Sequence, residues 1–258
     1  MRIMTCNVRY SAAQDGPNNW VNRRDLCLRV VRQQSADVIC CQEMSAKQCA
    51  AFKAGLPDYA WFGMIDEPGT NTPVNSIFFR ADRYQLVSAG GYWLSQTPHV
   101  TGSNSWDSRC VRLCNWVRLV DQHSGKELRI VNTHLDHISQ VARENQIRLI
   151  LEDAAGFDTA FPQVLTGDMN CNAANPAMRS VFQAGWQDTY QQINGADDPG
   201  NTFHGFMGAA AQNAWEGKID FVFSRGGLKA TGAKIVTENE SGRYPSDHYF
   251  VWGDLEFC

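Results

Sequence analysis

In the stretch Val164-Leu165-Thr166-Gly167-Asp168-Met169-Asn170, a carboxylate and an amide stand just beyond an apolar run. Pro162 to Leu165 predicts a short buried strand bounded by turn residues, with Gly167 permitting a tight exit. In an extended strand end, Asp168 and Asn170 lie two residues apart and point to the same side. So placed, they could serve a hard divalent cation or an attacking water. In isolation a Gly-Asp-x-Asn string is better explained as an Asx-rich turn. The other strand ends of the chain change that balance.

Asp37 to Gln42 is a continuous apolar run, Val38-Ile39-Cys40-Cys41, that ends in Gln42-Glu43. A carboxylate at the end of a buried strand is costly unless it is paired or coordinates a cation, which makes Glu43 a second candidate metal ligand. Arg2 to Tyr10 alternates and predicts a strand ending near Asn7 and Arg9. Lys126 to His134 runs into Asn132-Thr133-His134-Leu135-Asp136-His137, where two histidines flank an aspartate. A strand over Lys218 to Ser224 carries Asp220, and Asp247-His248 precede the last strand, Tyr249 to Leu255. Six strand ends therefore bear polar or ionisable residues: Asn7, Glu43, His134 with Asp136, Asp168 with Asn170, Asp220, and Asp247 with His248. A site at one edge of stacked sheets needs this set: carboxylates for a divalent metal, amides to orient water and phosphate, and a His–Asp pair to control charge and protons.

Elements that could position these ends follow from periodicity and turn signals. Helices are expected over Trp20–Gln34, Ser45–Leu56, Ile138–Ala155 and Pro176–Ala184, with Arg23, Arg24, Arg29 and Arg32 on a solvated face of the first. Strands are expected over Tyr59–Met64 and Ala233–Thr237. Asn75–Arg80 and Tyr84–Leu94 read as the two arms of a meander, and Arg112–Leu119 with Lys126–His134 as a hairpin. Ser95 to Cys110 has no period and carries aromatics, as binding loops often do. The stretch 186–198 is polar without a clear element, and 203–214 reads as a glycine-containing loop. With no internal repeat and no long linker, the chain reads as one domain over 1–258.

Of the 258 residues, 43% are hydrophobic and 19% charged, an ordinary soluble composition. The net charge of -4 argues against a broad grip on duplex nucleic acid. Nine cysteines without CxxC spacing make zinc an unlikely ligand; Cys40 and Cys41 read as core residues, and the spacing of Cys110 and Cys114 as chance. Free thiols and the lack of a leader-like N-terminus point to a reducing, cytoplasmic setting, although a removed leader stays compatible with Met1 lying so close to the first strand. No apolar run approaches the roughly 20 residues that span a bilayer.

Taken together, Thr5–Arg9 (TCNVR), Ala36–Glu43 (ADVICCQE), Asn132–His137 (NTHLDH), Thr166–Asn170 (TGDMN), Lys218–Phe223 (KIDFVF) and Ser246–Tyr249 (SDHY) resemble, in order, the motifs of the endonuclease/exonuclease/phosphatase superfamily of metal-dependent phosphoesterases. The resemblance covers essentially the whole chain. It implies an α/β fold, a four-layer α/β/β/α sandwich of two mostly antiparallel sheets. It also implies Mg²⁺, with Mn²⁺ as an alternative, held by Glu43 with Asn7 and Asp247. Asp168 would orient or deprotonate the attacking water, and Asn170 would hold that water or the phosphate. His248, oriented by Asp220, would stabilise the phosphoryl group, and His134 would be a further phosphate contact. Residues 15–31, 91–98, Trp106-Asp107 and 202–206 resemble a bacterial branch, which puts Trp20, Trp106, Arg112 and His204 on the substrate side.

Departures narrow the substrate. DNA-repair members typically carry tyrosine where His134 stands, the longer inositol-polyphosphate signature is not reproduced by 215–223, and Ala36 replaces a usual proline. Deadenylases share the strand bearing His134. The expected substrate is thus a small phosphate ester or a short single-stranded nucleic acid, with a repair-type DNA endonuclease as the rival and a catalytically silent scaffold as the reading from another class. No membrane and no obligate protein partner are expected.

Overall fold

The computed structural model describes residues 1–66, 69, 72, 74–195, 199–211 and 217–258. Residues 196–198 of the stretch 186–198 and 212–214 of the loop 203–214 lie outside the described residues, as do 67–68, 70–71, 73 and 215–216. In chain order the elements begin with β1 (Arg2–Asn7), α1 (Trp20–Gln33), β2 (Val38–Gln42), α2 (Ala46–Gly55), β3 (Tyr59–Phe62), β4 (Ile77–Arg80) and β5 (Tyr84–Trp93). They continue with β6 (Leu113–Asp121), β7 (Glu127–His134), α3 (Gln140–Ala155), β8 (Gln163–Asp168) and α4 (Pro176–Gln183). The last are β9 (Gln187–Asp188), α5 (Thr189–Asn194), β10 (Asp220–Arg225), β11 (Leu228–Val236) and β12 (Phe250–Phe257). The short β9 and α5 fill the stretch that had no clear periodicity.

The strands form two six-stranded sheets, ordered β11-β12-β1-β2-β4-β3 and β5-β6-β7-β8-β10-β9. Two neighbouring pairs are parallel, β1 with β2 and β7 with β8, and the remaining pairs are antiparallel. Each parallel pair is joined through a helix, α1 or α3, as a parallel connection requires. The expected meander of 75–80 with 84–94 is not formed. β4 lies beside β2 and β3 in the first sheet, whereas β5 opens the second and pairs with β6. A short connection between consecutive strands says nothing about which sheet each one joins.

The sequence alternation becomes three apolar layers. Ile3, Val38, Cys40, Ile77, Val117, Ile130, Val164 and Val222 pack between the sheets. Their alternate neighbours Met4, Ile39 and Cys41 pack on α1 and α2, while Val131, Leu165, Phe221 and Phe223 pack with residues of α3 and α4. All nine cysteines are free, and only Cys110 and Cys258 are exposed. Among the described residues no helix is long and apolar enough to cross a membrane.

Inward-facing positions change in character along the strands. Ile3, Thr5 and Asn7 face one way on β1, opposite Val38, Cys40 and Gln42 on β2. In the second sheet Ile130, Asn132 and His134 lie in register with Val164, Thr166 and Asp168, and Asp220 of β10 stands opposite Asp168. Each column therefore runs from an aliphatic residue, through a hydroxyl, amide or thiol, to a polar or ionisable end. The middle row is a buried polar seam between the sheets. Gln42 Nε2 donates to Asn132 Oδ1 at 2.6 Å, Asn132 Nδ2 to the Cys41 carbonyl at 2.9 Å, and Thr166 Oγ1 to Asn132 Oδ1 at 3.3 Å. Gly167 lies within β8, not in its exit: a Cβ there would come 2.2 Å from the Thr133 carbonyl oxygen, so only glycine lets β7 and β8 approach at the row below the site.

Candidate active site

The last inward row of both sheets converges on Asp168, which is 1% exposed. Asn7 Nδ2 reaches across from the first sheet and donates to Asp168 Oδ2 at 2.9 Å and to Glu43 Oε1 at 3.2 Å. Two imidazoles face the same carboxylate oxygen, His134 Nε2 at 3.4 Å and His248 Nε2 at 3.7 Å. On its other side His248 Nδ1 meets Asp220 Oδ2 at 2.9 Å, so one imidazole is held between two aspartates. Ligand atoms of Asp168, Asp220 and His248 all lie within 4.8 Å of one another.

Charge follows from this packing. Burial alone would discharge His248, but the flanking Asp220 and Asp168 carboxylates outweigh it and raise its pKa, which favours the imidazolium. Burial drives the Asp168 carboxyl upward, opposed by the positive His248. His134 falls well below the ordinary histidine value through burial and the neighbouring Arg112, and so is neutral. A charged and a neutral imidazole thus address one carboxylate.

Backbone strain clusters at the exits of the strands that bear these groups. Arg9, Glu43 and Asn170, each one or two residues beyond a strand end, have φ of 50°, 58° and 50°. Non-glycine residues rarely adopt this left-handed conformation, and at functional sites it costs on the order of 1–3 kcal/mol each. It turns Glu43 back so that Oε2 accepts the Tyr10 amide at 3.0 Å while Oε1 faces Asn7. At Asn170 the same turn corrects the expected geometry. The side chain does not point with Asp168; its Nδ2 donates to the Leu135 carbonyl at 2.9 Å, and its backbone N–H donates to Asp168 Oδ1 at 2.9 Å. The Asx turn and the site residue are here the same object.

Residues 4–248 match the family described as Endonuclease/Exonuclease/phosphatase family. The chain belongs to that family. It is a phosphoric ester hydrolase in an α/β sandwich that the family's solved structures share. An endonuclease/exonuclease/phosphatase from Bacteroides vulgatus superposes with a TM-score of 0.91 at 31% identity, covering 100% of this chain and 98% of the other. A mannosyl-6-phosphatase from Bacteroides thetaiotaomicron superposes with a TM-score of 0.90 at 26% identity, covering 100% of both chains. The human Nocturnin catalytic domain shares the fold, with a TM-score of 0.78 at 19% identity and coverage of 100% and 94%. No curated protein sequence matches the chain significantly.

The endonuclease/exonuclease/phosphatase family generally depends on a divalent metal, and oxygen donors that could hold one stand at these strand ends. Asn7, Glu43 and Asp247 offer hard oxygen atoms. Burial and the nearby Glu43 both push the Asp247 carboxyl upward, the response of crowded carboxylates that a cation would neutralise. Arg9 supplies part of that neutralisation: its Nε lies 3.5 Å from Asp247 Oδ2 while its guanidinium also binds Asp15.

Other expected site residues are distributed differently. Arg112 is half-buried, with Nη2 3.4 Å from His137 Nδ1, and borders His134. Trp106 is half-buried at φ 61°, in the loop before β6, with its carbonyl bound by Ser139 Oγ. Trp20, the first residue of α1, is 7% exposed, packs in the core and lines a surface pocket together with Asn19 and Arg24. His204 is 1% exposed, with its ring between Tyr244 and Tyr249 at centroid distances of 4.7 and 4.1 Å. Asp136 does not pair with a histidine. It accepts the Ile138 and Ser139 amides on one oxygen, and the Arg109 amide and Ser108 hydroxyl on the other, and so ties the irregular loop to the start of α3.

Sequence reasoning missed two residues that support the site. Arg23 is not on a solvated face but 3% exposed, donating to the carbonyls of Val8, Arg9, Asn18 and Pro245. Ser246 Oγ donates to the Asn7 carbonyl at 2.6 Å. Together they fix the Asp247–His248 segment against the end of β1. The spacing of Arg23 three residues after Trp20, on the buried side of α1, was the available signal.

Proposed function

We propose that this chain is a Mg²⁺-dependent phosphoesterase that hydrolyses a small phosphate ester, a sugar phosphate being the class that best fits, by in-line attack of water. The reading rests on one observation above all: a single buried carboxylate, Asp168, held by Asn7 and faced by His248 from the side of the first sheet, and faced by His134 from its own sheet. Asp168 orients the attacking water and takes its proton, and the amide of Asn170 keeps the carboxylate aimed. His248, kept positive by Asp220, stabilises the charge that develops on the phosphoryl oxygens, as a fixed cation in a water-poor site does effectively. His134 donates to the phosphate as a neutral imidazole. Arg112 and Trp106 border the entrance for the rest of the substrate. Glu43, Asn7 and Asp247 would hold the divalent ion, which when bound neutralises phosphate charge and acidifies water. The acidic net charge of -4 and the 26% likeness to a mannosyl-6-phosphatase favour a small ester over a nucleic-acid strand.

Phosphate release and strand cleavage measured side by side with Mg²⁺ test this, using sugar phosphates, inositol phosphates and nucleotides beside labelled single-stranded RNA and abasic DNA. Turnover of sugar phosphates that Glu43→Ala and His248→Ala both abolish is expected. Strand cleavage abolished by the same substitutions, with small esters untouched, would make the enzyme a nuclease instead.

A further inference from the structure

Asp220 and His248 belong to different sheets. Asp220 opens β10 in the second sheet, and His248 precedes β12 in the first. Their 2.9 Å contact therefore depends on whatever fixes one sheet end against the other. We infer that Thr202-Phe203-His204 is that device, a staple that positions His248 against Asp220.

Thr202 is fully buried and bonds to both sides of the pair. Its Oγ1 accepts the Ile219 amide at 2.9 Å and the Asp220 amide at 3.2 Å, at a point where β10 has lost its outer neighbour because β9 pairs only with Phe223 and Ser224. Its carbonyl accepts the Tyr249 amide at 2.8 Å, directly after His248. Phe203 forms an isolated bridge with His248, and its ring meets the imidazole at a 5.0 Å centroid distance, inclined by 61°. The amides of His204 and Gly205 both donate to the Asp247 carbonyl, at 2.8 and 3.1 Å. Thr202 and His204 thus hold the backbone after and before His248, the Phe203 ring packs on the imidazole itself, and one hydroxyl holds the backbone of its partner.

His204 anchors the far end of the staple. Its Nδ1 accepts the Gly208 amide at 3.2 Å, and its ring lies between the two tyrosines. Gly208 has φ 57°, and a Cβ there would fall 1.8 Å from the Tyr244 hydroxyl, so the turn closes only with glycine. Partners that hold a catalytic imidazole in orientation matter even without touching substrate. A shift of about 1 Å at a reacting group is enough to cost on the order of 100-fold in rate.

The inference rests on His248 acting as proposed above, so its test needs a reading that does not depend on turnover. The probe is the downfield proton NMR signal of the His248 Nδ1–H shared with Asp220, followed in the free enzyme beside kcat and KM for the best ester found. Thr202→Val keeps the side-chain shape and removes the acceptor of two amides. It should broaden or abolish the signal and lower kcat on the order of 10- to 100-fold with KM changed less than about 3-fold, and Thr202→Ser should restore both. Phe203→Leu, which spares every hydrogen bond, gives a second reading if Thr202→Val does not fold, with a smaller loss of signal and of kcat. A sharp, unshifted signal in both folded variants would overturn the staple. Loss of the signal with kcat intact would uphold the staple and contradict the catalytic role of His248.

Discussion

The ends of the two parallel strand pairs, β1/β2 and β7/β8, share a topology and differ in chemistry. Each pair is crossed by one helix and flanked by antiparallel neighbours in the same order. At the first end stand Asn7 and Glu43, oxygen donors, with Glu43 half-exposed and turned back by a left-handed residue. At the second stand His134 and Asp168, both buried and in register. The open end suits a hydrated hard cation, which keeps some of its water. The closed end suits proton and charge control, because a low-dielectric setting strengthens each electrostatic contact. One scaffold used twice can therefore split a reaction between its copies, with Asn7 bridging the two.

That division can be broken most severely at the closed end. Asp168→Ala or His248→Ala should lower kcat on the order of 10³-fold or more while the protein still binds Mg²⁺, measured by steady-state kinetics and metal titration. Equal losses of metal binding would erase the distinction between the two ends.

A smaller effect concerns the support of the closed end. Burial and the positive His248 push His204 from 6.5 down to about 4. Above 6.5 it is neutral in folded and unfolded chains alike; below, the unfolded chain takes up a proton that the folded chain refuses. Stability carried by this group is therefore lost as pH falls from 6.5 toward about 4, by on the order of 3 kcal/mol in all. Denaturant unfolding of His204→Phe across that window should show a correspondingly flatter pH dependence than the parent.

The seam beneath both ends should respond in stability and not selectively in either function. Asn132→Ala removes the shortest bond of the buried Gln42 amide, which keeps only the longer ones to Thr5 Oγ1 and the Cys40 carbonyl, and should cost about 1–3 kcal/mol. A calorimetric Tm lowered with kcat nearly unchanged at moderate temperature would place the seam below the chemistry. Arg112→Ala, at the entrance, should raise KM for a phosphate ester by roughly 10-fold, about 1.4 kcal/mol, with kcat changed less, since binding shared by ground and transition states appears in KM.

Much of this arrangement was legible because alternation and strand ends are local signals. Asn7, Glu43, His134 and Asp168 terminate or directly follow predicted strands, and Asp220 lies at the start of one. What escaped was set by contacts distant in sequence. The sheet membership of β4 and β5 depends on long-range pairing, and the burial of Arg23 depends on four carbonyls, one of them 222 residues away. The depth of Trp20 and His204 was hidden for the same reason: a tryptophan at a helix start and a histidine between tyrosines have no local mark that tells how far each is buried. Asn170 was placed correctly in the chain and wrongly in space, because a two-residue offset points one way only while the backbone stays extended.

The most direct measurement is calorimetric titration of Mg²⁺ into the parent enzyme, Glu43→Gln and His248→Ala. Binding retained by His248→Ala and weakened at least about 10-fold, or about 1.4 kcal/mol, in Glu43→Gln would locate the cation at the open end. Loss of binding in His248→Ala with Glu43→Gln unaffected would contradict the division of labour between the two strand ends.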